Sequence, residues 1–270
     1  EQNLYEEVNT DLLTTMPAPA GEDAVFMQVE SVRMIDYKGA TLESETETSW
    51  VFKPDEQLEI VPRALFAIAD RRLAISLPVN PKSSGQESLC EVHMHTTVSG
   101  TPQLRGLISP YRTVASTLQM MLLSGYLIKA ADIAVEATEL LADKYYDPVG
   151  ATLGALLLHK TGKLAERIHW VENLERDFNW LPDGKVLLAD LYLCNEGDYD
   201  KAFELAIQAT EKPLMFSESF SLLINLLRRW PDRNRVDQAK LSDALDRLSF
   251  VSPYIIWDSI TLSNWLPGEE

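Results

Sequence analysis

Gly125-Tyr126-Leu127-Ile128-Lys129-Ala130, Gly162-Lys163-Leu164-Ala165-Glu166-Arg167 and Gly197-Asp198-Tyr199-Asp200-Lys201-Ala202 are built alike and almost evenly spaced. Their glycines stand 37 and 35 residues apart, a period that belongs to stacked helix pairs and favours an interaction scaffold over an enzyme. Each glycine suits a helix end, because glycine enters the left-handed region without steric cost. Two residues later Leu127, Leu164 or Tyr199 can fold back onto the preceding helix. Small side chains at Ala130 and Ala202 let the helices approach closely. Ala134, Ala137, Ala206 and Ala209 continue that tight face at helical spacing.

Around these turns the apolar period is helical from Thr113 onward. It predicts helices over Thr113–Leu123, Leu127–Asp143, Val149–His159, Leu164–Asp177, Lys185–Asn195, Tyr199–Thr210, Ser217–Arg229 and Val236–Leu248. Asp147-Pro148 is a start signal, with Asp as cap and Pro in the first turn. The pattern resembles the tetratricopeptide repeat (TPR) family over roughly residues 112–213, extending to 250 if the last pair is degenerate. The best match is Gly197, Tyr199, Ala202 and Ala209 with Pro213 near the repeat end. Two departures stand out: Tyr192 lies one residue too far from its glycine, and Arg167 occupies an expected alanine position. Trp180-Leu181-Pro182-Asp183-Gly184, with Asp147-Pro148-Val149 and Gly154, is also similar to helical tails of uncharacterised bacterial multidomain proteins. In those, an upstream effector, sometimes a caspase-like peptidase, precedes the tail.

Before the helices the apolar residues alternate, as strands require. Val25–Ile35, Trp50–Phe52, Leu58–Val61, Leu73–Leu77 and Leu89–His95 read as strands of a small sandwich. Arg63–Arg71 reads as either strand or short helix. The acidic stretch from Thr41 to Ser49 reads as a loop, and Pro102–Pro110 as a connection. The expected fold is therefore α+β, a small N-terminal antiparallel β-sandwich-like domain followed by an all-α helical-hairpin, TPR-like domain. The segments are an acidic terminal linker over 1–21, the β domain over 22–105, the repeats over 106–250, and an aromatic capping tail over 251–270. Trp257 and Trp265 in that tail are expected to cover the open end of the stack, with self-association as the alternative.

The chain has 270 residues, 46% of them hydrophobic, and a net charge of −17. That charge divides as −4, −6 and −7 over residues 1–20, 21–100 and 101–270. No segment offers a basic field, so nucleic acid and anionic membrane are not expected partners. No apolar run approaches the ~20 residues needed to span a bilayer. Two cysteines, Cys90 and Cys194, suit a reducing cytoplasm as small packed residues rather than a disulfide. The first residue is Glu1, not methionine, which reads as a piece of something longer whose missing part lies upstream.

His93-Met94-His95, with Glu91 on the same strand face and Cys90 on the other, is the cluster nearest to a metal site. Such a site needs further ligands, so a structural role is preferred and no metal or other cofactor is expected. Neither cysteine has a nucleophile motif, and phosphate-binding glycine loops are absent. Core packing is preferred for Cys194. Glu139/Asp143 and Glu172/Glu175/Arg176 fall at helical spacing as solvated faces. Arg228-Arg229-Trp230-Pro231-Asp232-Arg233-Asn234-Arg235 is the one locally basic stretch; neutralising the end of the preceding helix is preferred there to partner binding.

The expected function is a non-catalytic interaction or regulatory module that recognises a protein or peptide, or restrains an effector attached to it. Its nominated surface is Tyr126, Lys129, Lys163, Glu166, Asp198 and Lys201 around the turns, with Arg228, Arg229 and Arg233. The rivals are a metal-dependent enzyme centred on the β domain and a structural oligomerisation module.

Overall fold

A computed structural model of the chain describes residues 32–81, 89–96, 102–108, 115, 130–231 and 236–267. Among the described residues eight strands form two antiparallel sheets. One has the order β1-β4-β5-β8, from Val32–Lys38, Arg63–Ile68, Arg71–Ser76 and Ser263–Trp265. The other has the order β2-β3-β6-β7, from Ala40–Glu45, Ser49–Pro54, Cys90–Thr96 and Pro102–Ile108. Their inward faces share one core, in which Trp50 of the second sheet meets Phe66 of the first edge-on at 4.9 Å. Alternation along β4 sends Ala64, Phe66 and Ile68 into that core. Arg63 and Leu65 therefore go to the outer face.

Three sequence readings change in this half. The Thr41–Ser49 stretch holds β2, because one face of an edge strand can remain charged and solvated. Leu58–Val61 forms no strand; Val61 instead packs into the helical core, with Leu58 against it. The Pro102–Pro110 connection is β7, with Pro as first residue of an edge strand, a position where its missing N–H is harmless. Gly106 within β7 conceals the pattern, yet a side chain there would meet Thr261 and Pro78 at 3.3 and 3.4 Å. Arg63–Ile68 resolves as strand. The 105/106 division falls inside β7.

Seven α-helices follow among the described residues: α1 Ala130–Ala142, α2 Pro148–Lys160, α3 Ile168–Asp177, α4 Asp183–Leu191, α5 Tyr199–Ala209, α6 Ser217–Arg228 and α7 Gln238–Val251. Gly162 and Gly197 both take positive φ, 70° and 66°, as helix-ending glycines should. After α2, Lys163 N–H donates to Leu158 O and Gly162 N–H to His159 O, which closes the helix in a Schellman motif. Ala137, Ala202, Ala206 and Ala209 are all fully buried. The Gly125 turn and the Thr113–Leu123 helix lie outside the described residues, apart from Ala115.

Close approach also governs α1 against α2. A Cβ on Gly154 would stand 2.5 Å from the Ala137 carbonyl oxygen and 3.1 Å from Leu140 Cβ. Backbone cannot yield as a side-chain end can. Gly154→Ala should cost about 2–3 kcal/mol of stability, read as a lower urea midpoint; an unchanged midpoint would show that the two helices can separate freely.

The two halves are joined through the tail. After α7 the chain passes Ile255 and Leu262, both in the helical core, and then adds β8 to β5 with Leu73↔Trp265 and Ile75↔Ser263 in register. Leu262 bridges both halves, with Ser76 N–H donating to its carbonyl and its own N–H donating to Met215 O. Ser76 Oγ donates to Leu214 O at 2.8 Å. Asn80 continues the seam, donating to Asp147 Oδ1 and accepting from Val149 N–H at the start of α2. Thus the tail serves the helical core and also completes a sheet.

Candidate interaction groove

Among the described residues, those nominated around the turns sit at several helix ends. Asp198 caps α5, its side chain accepting from Lys201 N–H. Glu166 is exposed beside Arg167, whose guanidinium also donates to the Lys163 carbonyl. Arg228 and Arg229 are exposed where α6 ends. Tyr126, Lys129 and Arg233 lie outside the described residues.

Lys201 belongs to a network that no local pattern announces. Its Nζ donates to Tyr192 Oη at 2.6 Å, and Tyr192 donates to Glu172 Oε1 at 2.5 Å. His169 Nδ1 lies 2.9 Å from Glu172 Oε2. The phenol's proton and His169 together hold the Glu172 carboxyl below its usual range. Burial and the adjacent carboxylate push the Tyr192 phenol up. In Tyr192→Phe the Glu172 carboxyl should titrate at higher pH, followed by carboxyl-carbon NMR; an unmoved titration would mean that the hydrogen bond is absent in solution.

The acidic set on α3 is thus more than a solvated face. Glu175 accepts from Lys185 Nζ at 2.5 Å in a sheltered pair, while Glu139 and Asp143 are exposed. Cys90 is fully buried, and burial raises its thiol. Cys194 departs from the packing expectation. It is exposed after α4, its thiol raised first by partial burial and then by Asp190, 3.9 Å away.

His93 and His95 do not share a ligand set. His93 Nε2 pairs with Glu91 at 2.9 Å, and His95 Nε2 pairs with Gln103 Oε1 at 3.0 Å. Among the described residues no group of three His, Cys, Asp or Glu side chains is arranged to hold a metal.

Clefts open instead where the tail crosses the helices. A cleft of about 340 Å³ lies between α2, the start of α6 and residues 257–260. Lys160 pairs with Glu218 at 2.9 Å on its wall. Trp257, 52% exposed, lies against Phe220 there. A second cleft, about 410 Å³, lies between the α5–α6 connection, the end of α7 and β8. Its walls include Leu248, Phe250, Tyr254 and Trp265, with Arg63 and Lys212 also lining it. A third, about 430 Å³, separates α5 from α7 and shares Glu211 and Arg247 with the second. Together these two make one groove, running from between the helices to the outer face of the first sheet.

Sequence reasoning missed this groove. Arg63 stood in a segment ambiguous between strand and helix, and Phe250 lay just past the last predicted helix, Val236–Leu248. The signal available was Trp265 within an aromatic tail that needed a surface. The structure places Trp265 on β8 under Arg71, whose guanidinium carbon is 4.0 Å from the ring centre.

Two antiparallel sheets, the first completed by a strand from beyond the helices, define the chain as an α+β protein with an open groove at the junction of its halves. Residues 117–257, just over half of the chain, match the Y4kD C-terminal domain, and the chain belongs to that family. The match begins after β7 and ends before β8. No curated protein and no solved structure matches the chain. No described helix is long and apolar enough to cross a membrane.

Proposed function

We propose that the chain is a non-catalytic recognition module that holds a segment of a partner protein in the groove between α5, α7 and β8. The observation that carries this reading is Phe250, 63% exposed on a groove wall that also holds Leu248, Tyr254 and Trp265. Large apolar side chains left open beside polar groups are the composition of a binding site rather than of a solvated face. The polar side chains of the helical stretch, among them Gln208, Glu211, Lys240 and Asp243, can meet the amides of an extended peptide. The proposal takes the helical half as TPR-like hairpins. The left-handed Gly162 and Gly197 and the buried alanines support that reading. Such a groove suits regulation of an effector on the same chain or another. Both cysteines are free thiols, which suits a reducing cytoplasm.

An array of twelve-residue peptides probed with the intact chain tests the reading. A subset should bind, Phe250→Asp should weaken it at least tenfold, and a His93→Ala/His95→Ala double variant should leave it unchanged. Absence of binding, or insensitivity to Phe250→Asp, removes the groove from consideration.

A further inference from the structure

The groove ends at a cation that the described residues leave without an anion. Arg63 opens β4 and leaves the outer face of the sheet, lining the cleft beside Asn264 and Trp265. One terminal nitrogen donates to Asn264 Oδ1 at 2.5 Å. Its Nε is sealed from solvent, with no hydrogen-bond partner among the described residues. Burial lowers its hold on the proton. A buried guanidinium nitrogen left unpaired is costly, and an anion set against the terminal nitrogens would offset part of that cost.

The surroundings favour an anionic visitor. Lys212 lines the same cleft, and its ammonium donates to the Glu59 and Asn179 carbonyls, neither of them charged. Arg247 is already held by Asp243 at 3.0 Å. Glu211 is the acidic side chain among the described residues of this wall, so two cations face one carboxylate. Apolar and aromatic side chains, among them Leu248, Phe250, Tyr254 and Trp265, share the walls with these polar groups. A carboxylate presents two coplanar acceptors to the fork of a guanidinium. A ligand matching the whole cleft therefore joins a carboxylate to apolar side chains and continues as backbone between α5 and α7.

We infer that Arg63 receives the C-terminal carboxylate of a partner polypeptide whose last apolar side chains lie against Leu248, Phe250 and Trp265. This inference rests on the groove reading and names the partner's chemistry. A chain end is chosen over a fatty acid because the groove is open and polar along its helical stretch, where peptide amides find partners and an acyl chain does not. A chain end is chosen over an internal acidic residue because Arg63 lines only the sheet-side cleft and not the stretch between α5 and α7, which puts it at one end of the groove.

The test uses the intact chain and three pools of N-acetylated eight-residue peptides with apolar residues at the last two positions. One pool carries the free C-terminal carboxylate, one is amidated, and one is amidated with Asp third from the end. Fluorescence anisotropy should show the free-acid pool binding at least tenfold more tightly than the plain amide. In Arg63→Gln that preference should vanish, with circular dichroism confirming the fold, and in Arg63→Lys it should survive in part. The comparison of pools on the unaltered protein decides even if Arg63→Gln does not fold. Equal binding of acid and amide, still weakened by Phe250→Asp, overturns the inference and leaves the groove standing. Equal binding of the free-acid and Asp pools overturns it in favour of an internal acidic residue. If no pool binds, both readings fall.

Discussion

Ending the chain at Val251 is expected to unfold the β half together with the helices, although the deletion removes only the tail. That tail supplies Ile255 and Leu262 to the helical core and β8 to the first sheet. It also carries partners for the backbone of Ser76, Met215 and Ser217. Burial of the two aliphatic side chains alone is worth about 2–3 kcal/mol each. Stripping the tail also leaves buried donors and acceptors without partners, at about 1–3 kcal/mol apiece. These losses reach the whole stability of an ordinary domain, about 5–15 kcal/mol. Urea unfolding followed by far-ultraviolet circular dichroism and tryptophan fluorescence checks it. Leu262→Ala offers a graded form, with an expected loss of about 2–4 kcal/mol. A truncated chain that keeps one cooperative transition near the original midpoint would show that the halves stand without the tail.

Asp183 governs the second large effect. It opens α4, is fully buried, and accepts from Met215 N–H at 2.8 Å and Phe216 N–H at 3.1 Å. Asp183→Ala leaves both N–H groups without an acceptor and should cost about 2–4 kcal/mol. Burial raises its carboxyl to about 6 from 3.8, against the lowering effect of those hydrogen bonds. Between about pH 4 and 6 the native chain thus keeps a proton that the unfolded chain has released. Stability from this group is full below the unfolded value and is lost as pH rises through the folded one, about 3 kcal/mol in all. Glu172 and Asp177, both lowered by hydrogen-bonded neighbours, push the opposite way over the acid range. The measurement is therefore the difference in unfolding free energy between the native chain and Asp183→Asn across pH 3.5–7. That difference should shift by about 2 kcal/mol between pH 4 and 6 and approach about 3 kcal/mol over the whole range; a flat difference would mean that Asp183 does not titrate in that window.

Legibility in the sequence followed the range of the interactions. The Asp147 cap, with its side chain accepting from Gly150 N–H, and the left-handed glycines depend on neighbours a few residues away. Such signals could be read directly. The second sheet was read incompletely because β2 is acidic and β7 carries both a proline and a glycine. The site was the least legible part. Lys201 was nominated as a free surface charge, and only folding brings Tyr192 and Glu172 beneath it. Arg63 drew no attention, because being without a carboxylate is a property of its tertiary surroundings.

By itself the sequence determined where the helices stop, which small residues they press together, and that alternating strands precede them. It did so because caps, turns and one-sided burial act within one or two turns of chain. Only the tertiary structure decided that Ser263-Asn264-Trp265 completes a sheet begun near the other end, with Trp265 opposite Leu73. Three residues carry no periodicity to read. What fixes them is an open edge on β5, backbone groups that must find partners when buried, and a tail held close enough by Ile255 and Leu262 to supply them.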